Sequence, residues 1–172
     1  MFDASADAVL NFANQHQAWG IPLVFVLAFG ESFAFLSLLF PATALLVAIG
    51  AVVGASNMNG AGLWAAATVG ATLGDWISYW IGLRYGAAVT QAWPLSRNPA
   101  LTSRAMALFQ RWGFLAVFLG RFIGPLRATV PLVAGVSAMP LLSFQFANVT
   151  SAAIWAGTLL WLGDAGGRWL QS

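Results

Sequence analysis

Two long apolar blocks, Trp19 to Ala55 and Gly113 to Met139, each precede a helix whose polar residues fall on one stripe. The first block is too long for one crossing of a hydrocarbon core about 30 Å thick, so it must break. Gly30, Glu31 and Pro41 mark where, leaving either two spans or a hairpin that enters and leaves on one side. The polar run Ser56 to Gly60 then reads as a turn. Leu63 to Leu83 follows as a spanning helix, about 31 Å long at 1.5 Å per residue. Thr68, Ala71, Asp75, Ser78 and Gly82 recur in it at helical spacing and share one face. Gly70 and Gly74 beside that face permit close helix contact, so Asp75 is expected to face protein and not lipid.

The second half repeats this plan. Arg84, Arg97, Arg104 and Arg111 crowd the segment from 84 to 112, which the positive-inside rule assigns to the cytoplasm. Asn98 and Pro99 read as a cap and first helical position. Leu101, Ala105, Leu108, Phe109 and Trp112 share one face there, with Arg104 and Arg111 opposite, as in an interfacial helix touching anionic headgroups. Pro125 and Pro131 interrupt the second apolar block, and after Pro140 a spanning helix runs from Leu141 to Leu162. Asn148, Ser151, Trp155 and Thr158 place a polar stripe on it. The lead, residues 1 to 18, is mildly amphipathic and suits a short helix at the membrane surface, with His16 solvated.

Composition makes this an integral membrane protein. Of 172 residues, 60% are hydrophobic and 7% charged, with mean hydropathy +0.79. Soluble domains carry roughly 25% charged residues. The net charge of +2 is too small to point to nucleic acid. Cysteine and lysine are absent, which excludes disulfides and thiolate chemistry. No basic residue precedes the first apolar block, so the N-terminus does not read as a cleavable signal peptide.

Candidate chemistry concentrates in Gly120 to Met139, where Arg121 and Arg127 lie within an apolar run. Arginine is expensive in hydrocarbon and persists where protein shields it or a wet cavity receives it. The two are about 240° apart on a continuous helix and converge only if the backbone breaks at Gly124-Pro125. A guanidinium matches phosphate because its planar fork donates two parallel hydrogen bonds. The alternatives are an arginine that snorkels or one that pairs with Glu31. Glu31 pairs with arginine or carries a proton. Asp75 binds substrate, caps its helix or pairs with Arg84.

The halves also correspond in position. Glu31 to Pro41 matches Arg121 to Pro131 in length, and Gly74-Asp75 recurs as Gly163-Asp164 at nearly the same offset. This predicts an all-α membrane protein built as an inverted repeat of two re-entrant hairpins and transmembrane helices. The single domain, 1–172, divides into a first repeat 1–86, a connector 87–111 and a second repeat 112–172. Hairpin tips at Pro41 and Thr43, and at Gly124, Pro125 and Pro131, would meet near the midplane.

Three stretches carry a family resemblance: Glu31 with Pro41; Gly74-Asp75 with Tyr79, Gly82 and Gly86; and Gly120-Arg121-Phe122-Ile123-Gly124-Pro125-Leu126-Arg127 continuing through Pro131, Gly135 and Asn148. Together they resemble the DedA family of bacterial inner-membrane proteins, relatives of the SNARE-associated Golgi proteins. The resemblance implies two re-entrant hairpins, dependence on the proton motive force, and movement of lipid phosphates, undecaprenyl phosphate or phospholipid. It casts Arg121, Arg127, Glu31 and Asp75 as substrate-binding residues, with Glu31 a candidate for coupling. The family's acid after the first-hairpin proline is replaced by Thr43. Many members also carry a further C-terminal helix, whereas this sequence ends at Ser172.

The leading reading is therefore a translocase that needs no cofactor and no metal. Its partners would be membrane lipids, with homo-oligomerisation left open by the small-residue faces. An enzyme acting on lipid phosphates is the second reading, although Glu31 and Asp75 are too few for a two-metal site. A structural or chaperone-like membrane protein is the third. Cysteines placed singly at Thr43 and Leu126 test the hairpins: each is expected to react with an impermeant thiol reagent from one side only. A Leu126 site reached only from outside, with the arginine-rich segment inside, would mean that a complete crossing precedes it.

Overall fold

A computed structural model describes residues 17–34, 60–91, 96, 99–123 and 126–169. The described residues form helices without strands: α1 (Gln17–Ser32), α2 (Gly60–Tyr85), α3 (Pro99–Trp112), α4 (Phe114–Gly120), α5 (Leu126–Val136) and α6 (Leu141–Trp169), with a 3-10 segment Gly86–Gln91 after α2. The expected all-α architecture is present. The breaks near Glu31, between Gly120 and Leu126, and at Pro140 are where the polar and proline residues put them.

Helix α2 is the hub and packs against α1, α5 and α6, while α5 also meets α3 and α4. It can do so because its contact faces are nearly devoid of side chain. A Cβ on Gly74 would fall 2.6 Å from the Phe29 carbonyl oxygen, and one on Gly70 would strike that of Phe25. Farther along, Gly82 and Gly135 face each other reciprocally: a Cβ on Gly82 would collide with the Leu132 carbonyl, and one on Gly135 with that of Tyr79. Helices crossing this closely are held by dispersion and by short polar side chains, the contact chemistry that works where lipid offers no hydrophobic drive. The indole of Trp64 adds a fastener, donating to the Ala153 carbonyl at 2.9 Å to tie α2 to α6.

The stripe on α2 behaves as its spacing required. Ala71, Asp75, Ser78 and Gly82 are buried, while Trp76, Ile77 and Trp80 face outward. Ser78 donates to the Gly74 carbonyl and accepts from the Ala34 amide at 3.0 Å, which closes the end of α1 onto α2. Tyr79 stacks on Phe144 and donates to the Met139 carbonyl at 2.5 Å, fixing the exit of α5.

Two expectations need correction. Pro131 does not interrupt its segment: α5 runs through it from Leu126 to Val136, and the residue is buried. Only one turn precedes it, so a single backbone hydrogen bond is forfeited, the one that would end on the Arg127 carbonyl. The apolar face of α3 is not laid on lipid alone. Ala105 is fully buried in a cluster with Val130, Met139 and Phe144, and Leu108 and Phe109 pack against it, while Arg104, Arg111 and Trp112 stay exposed. The first-hairpin tip at Pro41 and Thr43, together with Gly124, Pro125, His16 and Asn98, lies outside the described residues.

Leu141–Gly163 is the one stretch among the described residues long and apolar enough to cross a membrane by composition. At 26 residues, α2 is long enough to span, about 39 Å at 1.5 Å per residue, but its buried polar stripe dilutes its hydropathy. The close α2–α5 crossing yields a test. Gly135→Val is expected to lower the melting temperature in detergent sharply, a loss on the order of 3 kcal/mol, because a backbone carbonyl cannot move aside as a side chain can. Gly157→Ala, which meets only Trp64 at 3.5 Å, should instead stabilise α6 by up to about 1 kcal/mol.

Candidate functional site

Each buried charge in the centre of this protein is brought there by a different element. Glu31 stands in the last turn of α1, Asp75 midway along α2, Arg121 just past α4, and Arg127 in the first turn of α5. Glu31, Asp75 and Arg121 are 4%, 4% and 5% exposed, and the Arg127 side chain is 9% exposed. The break between α4 and α5 does the positioning. It frees the two arginines from a common helical register, so each meets its own carboxylate.

Arg121 forms an ion pair with Asp75 through Nη2, which also donates to Asn148 Oδ1 at 2.7 Å. Its Nε donates to Ser151 Oγ at 3.0 Å. These acceptors are themselves held: Asn148 Nδ2 donates to the Thr72 carbonyl at 3.0 Å, and Ser151 Oγ donates to the Asn148 carbonyl. The arrangement joins α2, α6 and the α4–α5 break through one guanidinium.

Arg127 is held more sparsely. Its Nη1 donates to Glu31 Oε1 at 2.5 Å, and its guanidinium carbon lies 4.6 Å from the Trp155 ring centroid. Its Nη2 is buried and has no hydrogen-bond partner among the described residues. Buried hydroxyls of Ser32, Thr72 and Thr129, and of Thr102 on α3, are likewise without a partner among the described residues. Elsewhere in the protein, Thr68, Thr150 and Thr158 satisfy their hydroxyls on the carbonyl four residues back. The two ion pairs lie within each other's fields, Arg127 acting on Asp75 and Arg121 on Arg127. Two cations and two anions make the centre neutral.

Every substrate-site residue singled out in the sequence, Arg121, Arg127, Glu31 and Asp75, is in this centre. The pairing differs from the readings left open. Asp75 takes Arg121 and not Arg84, whose exposed guanidinium lies beyond the next turns of α2, near the Tyr85 ring. Asn148, Ser151 and Trp155 were visible as a stripe on α6 but carried no assignment to an arginine. Their helical spacing was the available signal. Ser32 and Thr129 gave none, since isolated hydroxyls in apolar runs usually bond back to their own helix. Among the described residues no three His, Cys, Asp or Glu side chains gather in a way that could hold a metal.

The VTT domain family model matches residues 40–165. The chain belongs to this family, the SNARE-associated or DedA proteins. It is 31% identical to the inner membrane protein YabI of Escherichia coli (strain K12) over 145 residues, covering 84% of this chain and 57% of that protein. It is 36% identical over 162 residues to the uncharacterized membrane protein Rv2637 of Mycobacterium tuberculosis (strain ATCC 25618 / H37Rv), covering 87% of this chain and 74% of the relative. A third relative, the inner membrane protein YghB of E. coli (strain K12), is 35% identical over 126 residues. The chain thus spans little more than half the length of the E. coli relatives. No solved structure matches it. These relatives place the chain among bacterial membrane proteins.

Breaking the tighter pair should unfold more than it disables. Removing one partner of a buried pair leaves an uncompensated charge, a loss of about 3–5 kcal/mol. Asp75→Asn and Arg121→Gln alone are each expected to lower the melting temperature strongly, and the double variant is expected to recover part of the loss. Single variants that melt like the unmodified protein would show that the pair holds nothing.

Proposed function

We propose that this VTT-domain protein is a lipid-phosphate translocase, moving undecaprenyl phosphate or an anionic phospholipid across the bacterial cytoplasmic membrane. The observation that carries the reading is a buried guanidinium, that of Arg127, with Nη1 on Glu31 and Nη2 without an acceptor among the described residues. A phosphate oxygen satisfies such a donor, and Arg–phosphate pairs are short, strong and geometrically matched. An anion arriving at the centre replaces the Glu31 carboxylate as counter-charge, so a cation is never left bare in a low-dielectric site. The lipid chains stay in hydrocarbon while the headgroup passes. A binding site near the midplane between two broken segments is the arrangement of secondary transporters.

In this reading the chain is multi-pass, with residues 84–112 on the cytoplasmic side and the two halves, 1–86 and 112–172, related as inverted repeats with re-entrant hairpins. Glu31 is the natural carrier of a coupling proton, because protonation releases Arg127 to the phosphate. With Thr43 in place of the family's acid, that duty rests on Glu31. An enzymatic reading finds less support: both buried carboxylates are engaged by arginines, which is a poor starting point for a metal or a nucleophile.

Purified protein in liposomes provides the test, with labelled undecaprenyl phosphate and a labelled anionic phospholipid followed separately across the bilayer. Arg127→Ala is expected to slow movement at least ~10-fold, the loss of one charge-assisted contact. Glu31→Gln should abolish any dependence on a proton gradient. Absence of movement by the unmodified protein would sink the translocase reading, and release of phosphate would replace it with an enzyme.

A further inference from the structure

The two arginines differ in one respect that the phosphate reading does not by itself require. Arg121 gives its Nη2 and Nε to Asp75, Asn148 and Ser151, acceptors contributed by two helices. Withdrawing it for a ligand would strand Asp75, 4% exposed, and break the guanidinium's hydrogen bonds to Asn148 and Ser151 on α6. Arg127 gives Nη1 to a single carboxylate and keeps a buried Nη2 unbonded among the described residues. The Trp155 face also lies against it and attracts the cation without occupying any N–H. Arg127 also stands in the first turn of α5, where the helix dipole favours an anion.

We propose that the two arginines have separate duties: Arg127, in the first turn of α5, is the group that binds a phosphate monoester anion, and Arg121 is a fastener that stays on Asp75 throughout. Trp155 is then a positioning residue. It keeps the Arg127 guanidinium in place while Glu31 and the phosphate exchange. Glu31 in this arrangement is a competitor for the anion, and Asp75 is not. The proposal rests on the phosphate reading above and sharpens it to one arginine.

Equilibrium binding of radiolabelled dodecyl phosphate to the full chain in dodecyl maltoside separates the duties, with inorganic phosphate titrated in parallel. Saturation at lower concentration by one or the other identifies the anion as lipid-borne or free. Arg127→Gln is expected to weaken binding at least ~30-fold, the loss typical of one partner of a buried charged contact. The charge-neutral double variant Asp75→Asn/Arg121→Gln should melt lower, yet its folded fraction, isolated by size exclusion, should weaken by less than ~3-fold. Glu31→Gln is expected to tighten binding about fivefold or more, since the competent, unpaired Arg127 becomes more populated. Trp155→Phe should bind more nearly as the unmodified protein does than Trp155→Leu, because an aromatic face is kept.

An equal loss in the Asp75/Arg121 double variant and in Arg127→Gln would overturn the division of duties while leaving phosphate binding intact. Weaker binding by Glu31→Gln would also overturn it, by removing the competition. No saturable binding of either phosphate by the unmodified protein would remove the phosphate reading itself, and the proposal with it.

Discussion

A guanidinium out of water must be matched by negative charge and by acceptors for its N–H groups, and this structure is arranged around meeting that requirement twice. Four charges from four separate elements converge to a neutral centre. Asp75 and Arg121 satisfy one another completely enough to serve as a structural joint. Arg127 gives Glu31 one nitrogen and keeps a buried Nη2 unbonded among the described residues, which leaves that arginine able to take up another anion. A buried pair contributes little net stability against an apolar core, yet removing one partner is severe. The centre therefore acts as a constraint on the fold more than as a source of its stability.

Short side chains can build such a centre only where helices approach closely. Glu31 on α1 and Arg127 on α5 are both held close to α2 because α2 presents glycines to those two helices, bringing backbones into contact. Replace those glycines with larger residues and the helices that carry this pair move away from α2. The small-residue faces and the charge centre are thus one device: the first sets the distance, and the second uses it. Ser78 secures the end of α1 on α2, and Tyr79 the exit of α5, both through hydrogen bonds to backbone.

Among the described residues, the unsatisfied groups other than the Thr102 hydroxyl on α3 are concentrated as well. Ser32, Thr72, Arg127 and Thr129 lie in or beside the segments that carry the ion pairs. In a medium with no water to spare, buried donors without acceptors are costly, and a protein keeps them where a ligand or a moving counter-charge completes them. Under the proposed reading, an anion with several oxygens is what completes them.

Much of this was legible in the chain. Apolar blocks, proline positions and the three-and-four spacing on α2 and α6 placed the helices and their buried faces, because a membrane helix must hide its polar residues on one side. The four charged site residues stood out because charge inside an apolar run is expensive wherever it occurs. The pairing was not legible. Glu31 could have met either arginine, Asp75 could have met Arg84, and Pro131 read as a break although α5 continues through it. Those outcomes depend on how α4 and α5 separate between Gly120 and Leu126 and on how closely α2 packs against its neighbours. Sequence periodicity reports the direction of a side chain about its own helix axis. Only the relative placement of helices decides which charge it meets, and hence which arginine is bound fast and which keeps a free hand.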